Sequence, residues 1–177
     1  MKELERRADA AGLPYRQMRE NAGCMAARLA LGQWPAARTA AVLCGRGNNG
    51  GDGLELAALL LERGIGALCI LPKDPKPGTE AAEALAHLRS AGGKTVREFP
   101  APGQLHGFDL IVDAVLGIGV RSPLREDAAD FIRKINESGL RVLSVDVPSG
   151  LSADSGAAPD GAVRAEWTVS LLGLHPG

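Results

Sequence analysis

Short, almost wholly apolar runs alternate with helical segments along this chain. The apolar runs that predict strands span residues 39–44, 65–71, 108–113, 140–146 and 167–172, and the more polar segment 94–99 predicts one further, short strand. The segments that predict helices span residues 2–11, 53–63, 79–91 and 126–138, with one more after Pro14. Strands that are apolar along their whole length are typical of a parallel sheet with helices on both faces. The sequence therefore predicts an α/β protein of the doubly wound class.

The composition fits one globular domain and excludes several classes of protein. The chain has 177 residues, a net charge of −1 and an aromatic fraction of 3%, so it lacks the basic surface and the stacking platform of a nucleic-acid-binding protein. No uncharged apolar run reaches the ~18 residues that suggest a membrane span, and the first residues lack the apolar core of a signal peptide. Three cysteines without paired spacing fit a reducing cytoplasm. We expect a single domain over residues 1–177, in the cytoplasm, with no nucleic-acid or membrane partner.

Two expectations about the core follow from the apolar residues. In the helix after Pro14, an apolar stripe at helical spacing predicts the buried face. It comprises Tyr15, Met18, Ala22, Met25 and Leu29. Cys44 and Cys69 lie within apolar runs, so we expect both to be small buried side chains.

Polar or glycine-rich segments follow three of the predicted strands. They are GRGNNGGDG (45–53), GIGVRSP (117–123) and DVPSG (146–150). In doubly wound folds, ligands bind outside the carboxyl ends of the strands, where the strand order reverses. We therefore expect the three segments to converge at one edge of the sheet and to form the ligand site.

The first segment, GRGNNGGDG, formally matches the GxGxxG pattern of dinucleotide-binding proteins. A dehydrogenase is the usual meaning of that pattern, and it would also need an acid at the end of the second strand, for which Asp74 is the candidate. Two features argue against it. Asp52, which we place in the first turn of the following helix, would repel a pyrophosphate. The amides of Asn48 and Asn49 suit hydroxyls, carboxamides or a cation better, and a tight turn with a capping aspartate is the purely structural alternative.

The segments after the fourth and fifth strands carry groups that suit an anion and a proton transfer. Gly117 and Gly119 allow the backbone to approach a ligand, and Arg121 supplies a positive charge, so this loop favours a phosphate group. Asp146 ends the fifth strand, where a partly desolvated carboxylate can act as a general acid–base. An ordinary loop and a strand-end cap remain the alternatives.

Three oxygen-bearing side chains fall at the same predicted edge: Asn49, Asp113 and Ser149. Asp113 ends an apolar strand, so its carboxylate needs a hydrogen-bond donor or a cation. Hard oxygen ligands with one charge among them suit a large monovalent cation rather than zinc. An aspartate that only caps the next loop is the alternative.

Three motifs, in this order and spacing, resemble those of the NAD(P)H-hydrate epimerases, the YjeF N-terminal domain family. They are GRGNNGGDG, VDAVLGIGV and VDVPSGLSADSG, and MRENAG (18–23) resembles the helical motif ahead of the family's first strand. The resemblance covers nearly the whole chain and implies a three-layer α/β/α Rossmann-like sandwich with a mostly parallel sheet. It also implies an isomerase that interconverts the R and S hydrates of NADH and NADPH. An ADP- or ATP-dependent dehydratase, fused or separate, would then consume the S form.

Residue by residue, the resemblance implies a potassium site and a substrate site. The potassium ligands would be Asn49, Asp113 and Ser149. The substrate contacts would be Asn48, Asn49, Gly50, Gly51, Asp52, Gly117, Ile118, Gly119, Val120, Arg121, Ser122, Pro123 and Asp146. Asp146 would act as the acid–base, with Asp52 as the second candidate.

The chain departs from the family pattern at its end. His175 stands where the family usually has a lysine, and the family continues past Gly177. We therefore expect a C-terminal truncation that exposes apolar surface and favours a homodimer. A non-catalytic binding module with the same fold is the main alternative function. Such a module would be free to lose Asp52, Asp113 or Asp146, and the presence of all three favours an enzyme.

Overall fold

A computed structural model of the chain describes residues 2–100, 105, 107–119 and 122–171. Within that part the helices are α1 (Lys2–Ala10), α2 (Tyr15–Gln33), α3 (Asn48–Glu62), α4 (Glu80–Ser90) and α5 (Glu126–Glu137). The strands are β1 (Thr39–Cys44), β2 (Gly66–Ile70), β3 (Lys94–Val96), β4 (Leu110–Ala114), β5 (Arg141–Val145) and β6 (Trp167–Val169). None of these helices is long and apolar enough to cross a membrane.

The described strands form one sheet in the order β3-β2-β1-β4-β5-β6, and every neighbouring pair is parallel. This order is a doubly wound arrangement, so the predicted fold class is confirmed. The direction of winding reverses between β1 and β4, which pair from Ala40–Leu110 to Cys44–Ala114. Because β5 lies beside β4, the carboxyl ends of β1, β4 and β5 are neighbours, as the sequence predicts.

Alternate residues of each strand pack into two separate layers of core. On one face, Val42 and Val112 join buried residues of α2, α3 and α4. On the other face, Leu43 and Ile111 join Ile132 of α5. The sheet therefore lies between two helical layers, which is the α/β/α sandwich.

The buried face of α2 differs from the predicted one. Met25, in the middle of the predicted apolar stripe, is 59% exposed. The face that is buried carries small residues instead: Gly23, Ala26, Ala27 and Ala30. A Cβ on Gly23 would lie 3.0 Å from Cγ of Glu55 and 3.1 Å from Cδ1 of Leu59 on α3. The helices approach so closely that small size, rather than hydrophobicity, selects the face.

Helix α3 begins earlier than predicted. Its first residue is Asn48, whereas the glycine content predicted a turn that extended to Asp52. A Cβ on Gly50 would collide with the carbonyl oxygen of Gly45, so the start of the helix lies directly on the preceding loop. Asp52 is therefore the fifth residue of α3 and not in its first turn. The effect of the helix dipole falls off within that turn, so our dipole argument against a pyrophosphate was wrong.

The remaining boundaries agree closely with the predictions. β3 ends at Val96 and β6 at Val169, earlier than predicted, and residue 172 lies outside the described residues. Thr79 caps α4 as expected, because its Oγ1 accepts a hydrogen bond from the backbone N–H of Ala82 at 3.3 Å. Cys44 and Cys69 are free and buried, as predicted.

Candidate active site

The loops after β1 and β4 start in direct contact. The N–H of Gly45 donates to the carbonyl oxygen of Ala114 at 2.9 Å, which extends the pairing of the two strands. A Cβ on Gly45 would collide with the carbonyl oxygen of Val115. The glycine thus allows two of the predicted segments to meet at the carboxyl edge of the sheet.

Asp113 is fully buried and accepts four hydrogen bonds. Its Oδ2 accepts from Ser144 Oγ (2.8 Å) and from the backbone N–H of Ser149 (2.9 Å). Its Oδ1 accepts from Ser149 Oγ (2.5 Å) and from the N–H of Val115 (3.3 Å). Burial raises the pKa of Asp113, while the hydrogen bonds from Ser149 and Ser144 oppose that rise. All four donors are uncharged, so they stabilise the ionised carboxylate without supplying a positive charge.

Asn49 and Ser149 meet at the backbone of Leu116. Asn49 Nδ2 donates to the carbonyl oxygen of Leu116 at 2.8 Å, and the N–H of Leu116 donates to Ser149 Oγ at 2.8 Å. The Oδ1 of Asn49 is buried and has no hydrogen-bond partner within the described part of the chain. A buried oxygen without a donor costs free energy, which a bound cation would offset. The three predicted ligands are thus linked through one short segment, and their amide, carboxylate and hydroxyl oxygens fit potassium.

Asp146 holds a strained backbone conformation next to this segment. Its φ is 69°, the one positive value among the described residues other than glycines. Such strain of about 1–3 kcal/mol persists where the surroundings impose it, often at functional sites. A Cβ on Gly117 would lie 3.1 Å from Asp146 Oδ2 and 3.2 Å from Asn49 Cβ. Gly117 therefore allows its loop to lie against both side chains.

The glycines at the start of α3 have clear packing roles. Gly50 lies on the Gly45 carbonyl, and a Cβ on Gly51 would lie 3.2 Å from Cα of Ala81 in α4. Asn48 is exposed at the first position of the helix, and Asp52 is half-buried. These residues are at the edge where the substrate contacts were predicted, and their contacts with substrate stay a prediction.

The predicted phosphate loop is described only in part. Ile118, Gly119, Ser122 and Pro123 are all exposed. Ser122 Oγ donates to Asp160 Oδ2 at 2.7 Å. Val120, Arg121 and His175 lie outside the described residues.

Sequence reasoning missed two polar residues that hold these loops. Asp160 is the acceptor for Ser122, and its Oδ2 also accepts the N–H of Leu124 at 3.0 Å. Nothing in the sequence pattern connects positions so far apart. Ser144 did carry a signal, because it is the single hydroxyl in the apolar run LRVLSVD and its register partner across the sheet is Asp113.

Asp74, the acid that a dehydrogenase would use at the end of β2, is already bound by basic side chains. Arg97 Nη1 lies 2.8 Å from Asp74 Oδ1, and Arg89 Nη2 lies 3.6 Å from Asp74 Oδ2. The Arg97 guanidinium keeps the pKa of this carboxyl low. A carboxylate in this ion cluster is poorly placed to accept a ribose hydroxyl.

The strand order and the converging loops define a doubly wound α/β protein with a polar site at its topological switch point. The family model of the "YjeF-related protein N-terminus" matches residues 16–177. The chain belongs to this family, and the resemblance of its motifs is confirmed.

Three similar proteins place the chain within the family. The NAD(P)H-hydrate epimerase of Achromobacter xylosoxidans is 36% identical over 100% of this chain and 83% of its own length. The bifunctional NAD(P)H-hydrate repair enzyme Nnr of Coxiella burnetii is 37% identical over 100% of this chain. The crystal structure of yeast ynu0 (YNL200c) matches 98% of this chain and 80% of that one, with a TM-score of 0.84. At 23% identity, that likeness shows the fold alone.

The length of the match differs between the two kinds of relative. The chain spans 36% of the Coxiella enzyme and 33% of the Escherichia coli Nnr. It spans 83% of the Achromobacter epimerase. The chain thus corresponds to about a third of the bifunctional relatives and to most of a separate epimerase.

Proposed function

We propose that this chain is an NAD(P)H-hydrate epimerase, an isomerase of nicotinamide nucleotide repair that interconverts the R and S hydrates of NADH and NADPH. The support is the family together with one observation. Asp146 carries the only positive φ of a non-glycine residue in the described part of the chain, and its carboxylate lies against Gly117 at the switch point. A carboxyl group whose backbone is held in a strained conformation at this edge fits the proposed reaction. That reaction protonates a hydroxyl group and deprotonates a water molecule at the same carbon.

The chemistry requires one proton donor and one acceptor. The hydrate carries a hydroxyl on a ring carbon next to the ring nitrogen. Asp146 protonates that hydroxyl, the C–O bond breaks with loss of water, and the nitrogen lone pair stabilises the cation. Water then adds to the opposite face and returns its proton to the Asp146 carboxylate, which restores the enzyme. Asp52, half-buried on α3, is the second candidate for this role.

The other predicted residues bind and orient the hydrate. The amide of Asn48 orients the nicotinamide ring, with Asn49, Gly50, Gly51 and Asp52 beside it on α3. The loop from Gly117 to Pro123 holds the phosphates through its backbone amides and the guanidinium of Arg121.

The cofactor in this proposal is a potassium ion held by Asn49, Asp113 and Ser149. The unpartnered Oδ1 of Asn49 and the neutral hydrogen bonds to Asp113 support it. When bound, the ion supplies a fixed positive charge that offsets the buried carboxylate. Asn49 of the segment after β1 and Ser149 of the segment after β5 both bind Leu116, which follows β4, and so join the three segments.

The wider context is also proposed. An ADP- or ATP-dependent dehydratase, fused or separate, would take the S hydrate. Two relatives are named bifunctional NAD(P)H-hydrate repair enzymes, which fits a second activity beside the epimerase. We propose a homodimer, and a cytoplasmic location that suits three free cysteines.

A coupled assay tests the activity. An S-specific dehydratase with its nucleotide first consumes the S hydrate in an epimer mixture, and this protein is then added with potassium. We expect NADH absorbance to recover faster than by spontaneous epimerisation. No acceleration would favour a non-catalytic binding module.

Asp146→Asn tests the acid–base within the same assay. Because the amide cannot transfer the proton, we expect kcat to fall by about 100-fold or more. Asp9→Asn, an exposed carboxylate on α1, is the matched control and should keep wild-type activity. Full activity in Asp146→Asn, with loss in Asp52→Asn, would move the role to Asp52.

A further inference from the structure

Ser144 is a buried hydroxyl in the middle of an apolar strand. It has an exposure of 0%, and its neighbours Leu143 and Val145 pack on the α3 side of the sheet. Ser144 therefore points to the other face, where Val142 contributes to the apolar core. A hydroxyl in such a layer gives up water and needs a partner. Within the described residues its one hydrogen bond goes to Asp113 Oδ2, at 2.8 Å.

This hydrogen bond joins two rigid elements. Ser144 of β5 and Asp113 of β4 are register partners in the parallel sheet, so neither backbone can shift alone. The hydroxyl therefore orients the Asp113 carboxylate from the sheet side, while the other three donors come from the segments after β4 and β5. The same Oδ2 also accepts the N–H of Ser149, while Oδ1 accepts the Ser149 hydroxyl. The orientation of the carboxylate thus determines where Ser149 is held.

The turn 146–150 is anchored at both ends. At its start, the N–H of Asp146 donates to the carbonyl oxygen of Val169 at 2.7 Å. At its end, Ser149 makes two hydrogen bonds to Asp113. Between these anchors Asp146 keeps its φ of 69°. A strained conformation persists only when the surrounding structure holds it in place. Loosening either anchor should therefore let the backbone of Asp146 move to a negative φ.

We propose that Ser144 is a positioning residue, which orients the Asp113 carboxylate and so holds Ser149 and the strained Asp146 in their active geometry. The inference rests on the proposed function and extends it to a residue that touches neither the hydrate nor the cation. Its effect is transmitted through one carboxylate. Loss of the Ser144 hydroxyl should therefore change the cation affinity and kcat, with little change in hydrate binding.

Three variants separate positioning from simple stability. Ser144→Ala removes the hydroxyl, and Ser144→Thr restores it on the same strand. Val142→Ala is the matched control, because it opens space on the same face of β5 without a hydrogen bond to Asp113. Each variant is measured for Tm against potassium at constant ionic strength with sodium, for kcat and KM, and for amide exchange in the 146–150 segment.

We expect Ser144→Ala to raise the half-saturating potassium concentration by about tenfold. This change in binding free energy is at the lower end of what one hydrogen bond to a charged group contributes. Its kcat should fall by a similar factor, its KM should change by less than about threefold, and the Ser149 amide should exchange faster. Ser144→Thr should recover most of both losses. Val142→Ala should lower Tm without moving the potassium midpoint.

Two results would overturn the inference. One is a wild-type potassium midpoint and kcat in Ser144→Ala. The other is an equal shift in Val142→Ala, which would mean that general loosening of the core explains the effect. If the wild-type protein neither epimerises the hydrate nor responds to potassium, the proposed function and this inference fail together. If the wild-type protein does both and Ser144→Ala matches it, the inference alone is wrong.

Discussion

Two buried carboxylates, Asp113 at the sheet edge and Glu55 at the junction of α2, α3 and α4, are satisfied in different ways. Asp113 accepts only neutral hydroxyls and backbone amides. Glu55, 3% exposed, lies 2.9 Å from Nδ1 of His87, whose Nε2 lies 3.2 Å from Glu62. The helix junction thus places a titratable imidazole beside its carboxylate, whereas the donors to Asp113 within the described residues carry no charge.

The two regions also differ in whether backbone or side-chain atoms form the close contacts. At the sheet edge, backbone meets backbone, because Gly45 and Gly50 approach carbonyl groups directly. At the helix junction, Gly23 meets the side chains of Glu55 and Leu59 as well as one backbone atom. A cavity of about 420 Å³ lies in the same junction, between Arg16, Arg19, Glu55, Glu83 and His87. The edge is therefore rigid, and the junction has room to adjust.

The largest expected effect contrasts two glycine substitutions. Gly50→Ala places a Cβ against the Gly45 backbone, which cannot move without separating β1 from α3, so we expect a loss of about 3 kcal/mol or more. Gly23→Ala meets Glu55 Cγ at 3.0 Å, Leu59 Cδ1 at 3.1 Å and the Leu56 backbone nitrogen at 3.3 Å, contacts that shifts of a few tenths of an ångström can relieve. Its gain in helix propensity of about 1 kcal/mol offsets much of that cost. Urea unfolding measures both, and equal losses would show that the two regions are equally rigid.

The next contrast replaces each carboxylate by its amide. Each oxygen of Asp113 accepts one backbone N–H and one hydroxyl, so Asp113→Asn sets an NH₂ group against a backbone donor in either orientation. We expect it to lose about 3 kcal/mol. Glu55→Gln keeps an oxygen that can accept from His87 and should lose about 1 kcal/mol.

The measurement for this pair is urea unfolding in sodium buffer without potassium. The absence of potassium separates the loss of hydrogen bonds from the loss of a ligand. If Glu55→Gln lowered the free energy of unfolding more than Asp113→Asn, the distinction between the neutral donors around Asp113 and the titratable partner of Glu55 would be contradicted.

Much of the fold and of the ligand edge could be predicted from the sequence. Apolar strands specify a parallel sheet, and the topology of such a sheet brings Asp113, Asp146 and Ser149 to one edge, so their proximity could be predicted before their contacts were known. The start of helix α3 at Asn48 could not be predicted from the sequence, because a glycine-rich sequence favours a turn. What makes it helical is the fit of Gly50 onto the loop, a tertiary contact.

The buried charges were the other failure of sequence reasoning. Glu55 lies in the run LELAALLL (54–61), where a single glutamate resembles a residue on the solvent side of an amphipathic helix. Its partner His87 is on a different helix, and no periodicity links the two positions. Pairing of this kind depends on how helices cross, which a linear pattern does not encode.

The smallest expected effect is a pH dependence that belongs to the helix junction alone. The hydrogen bond that His87 donates to the Glu55 carboxylate, together with the nearby Glu62, raises the pKa of His87 above its usual value of 6.5. The stabilisation is therefore complete below about pH 6.5 and is lost as the pH rises through the folded-state pKa. Because 37% of the imidazole side chain is exposed, screening keeps the change below about 1 kcal/mol.

His87→Gln makes the pH effect measurable. Arg16, Arg19, Glu20 and Glu83 also face the cavity, and they are present in both proteins, so they cancel in the comparison to first order. We expect the free energy of unfolding of the wild-type protein to fall more between pH 6 and pH 8 than that of His87→Gln. Glu55→Gln should reduce the difference, because it removes the charge that raises the pKa of His87. Parallel pH profiles for all three proteins would show that the His87–Glu55 pair contributes nothing, and that Glu55 is held by packing alone.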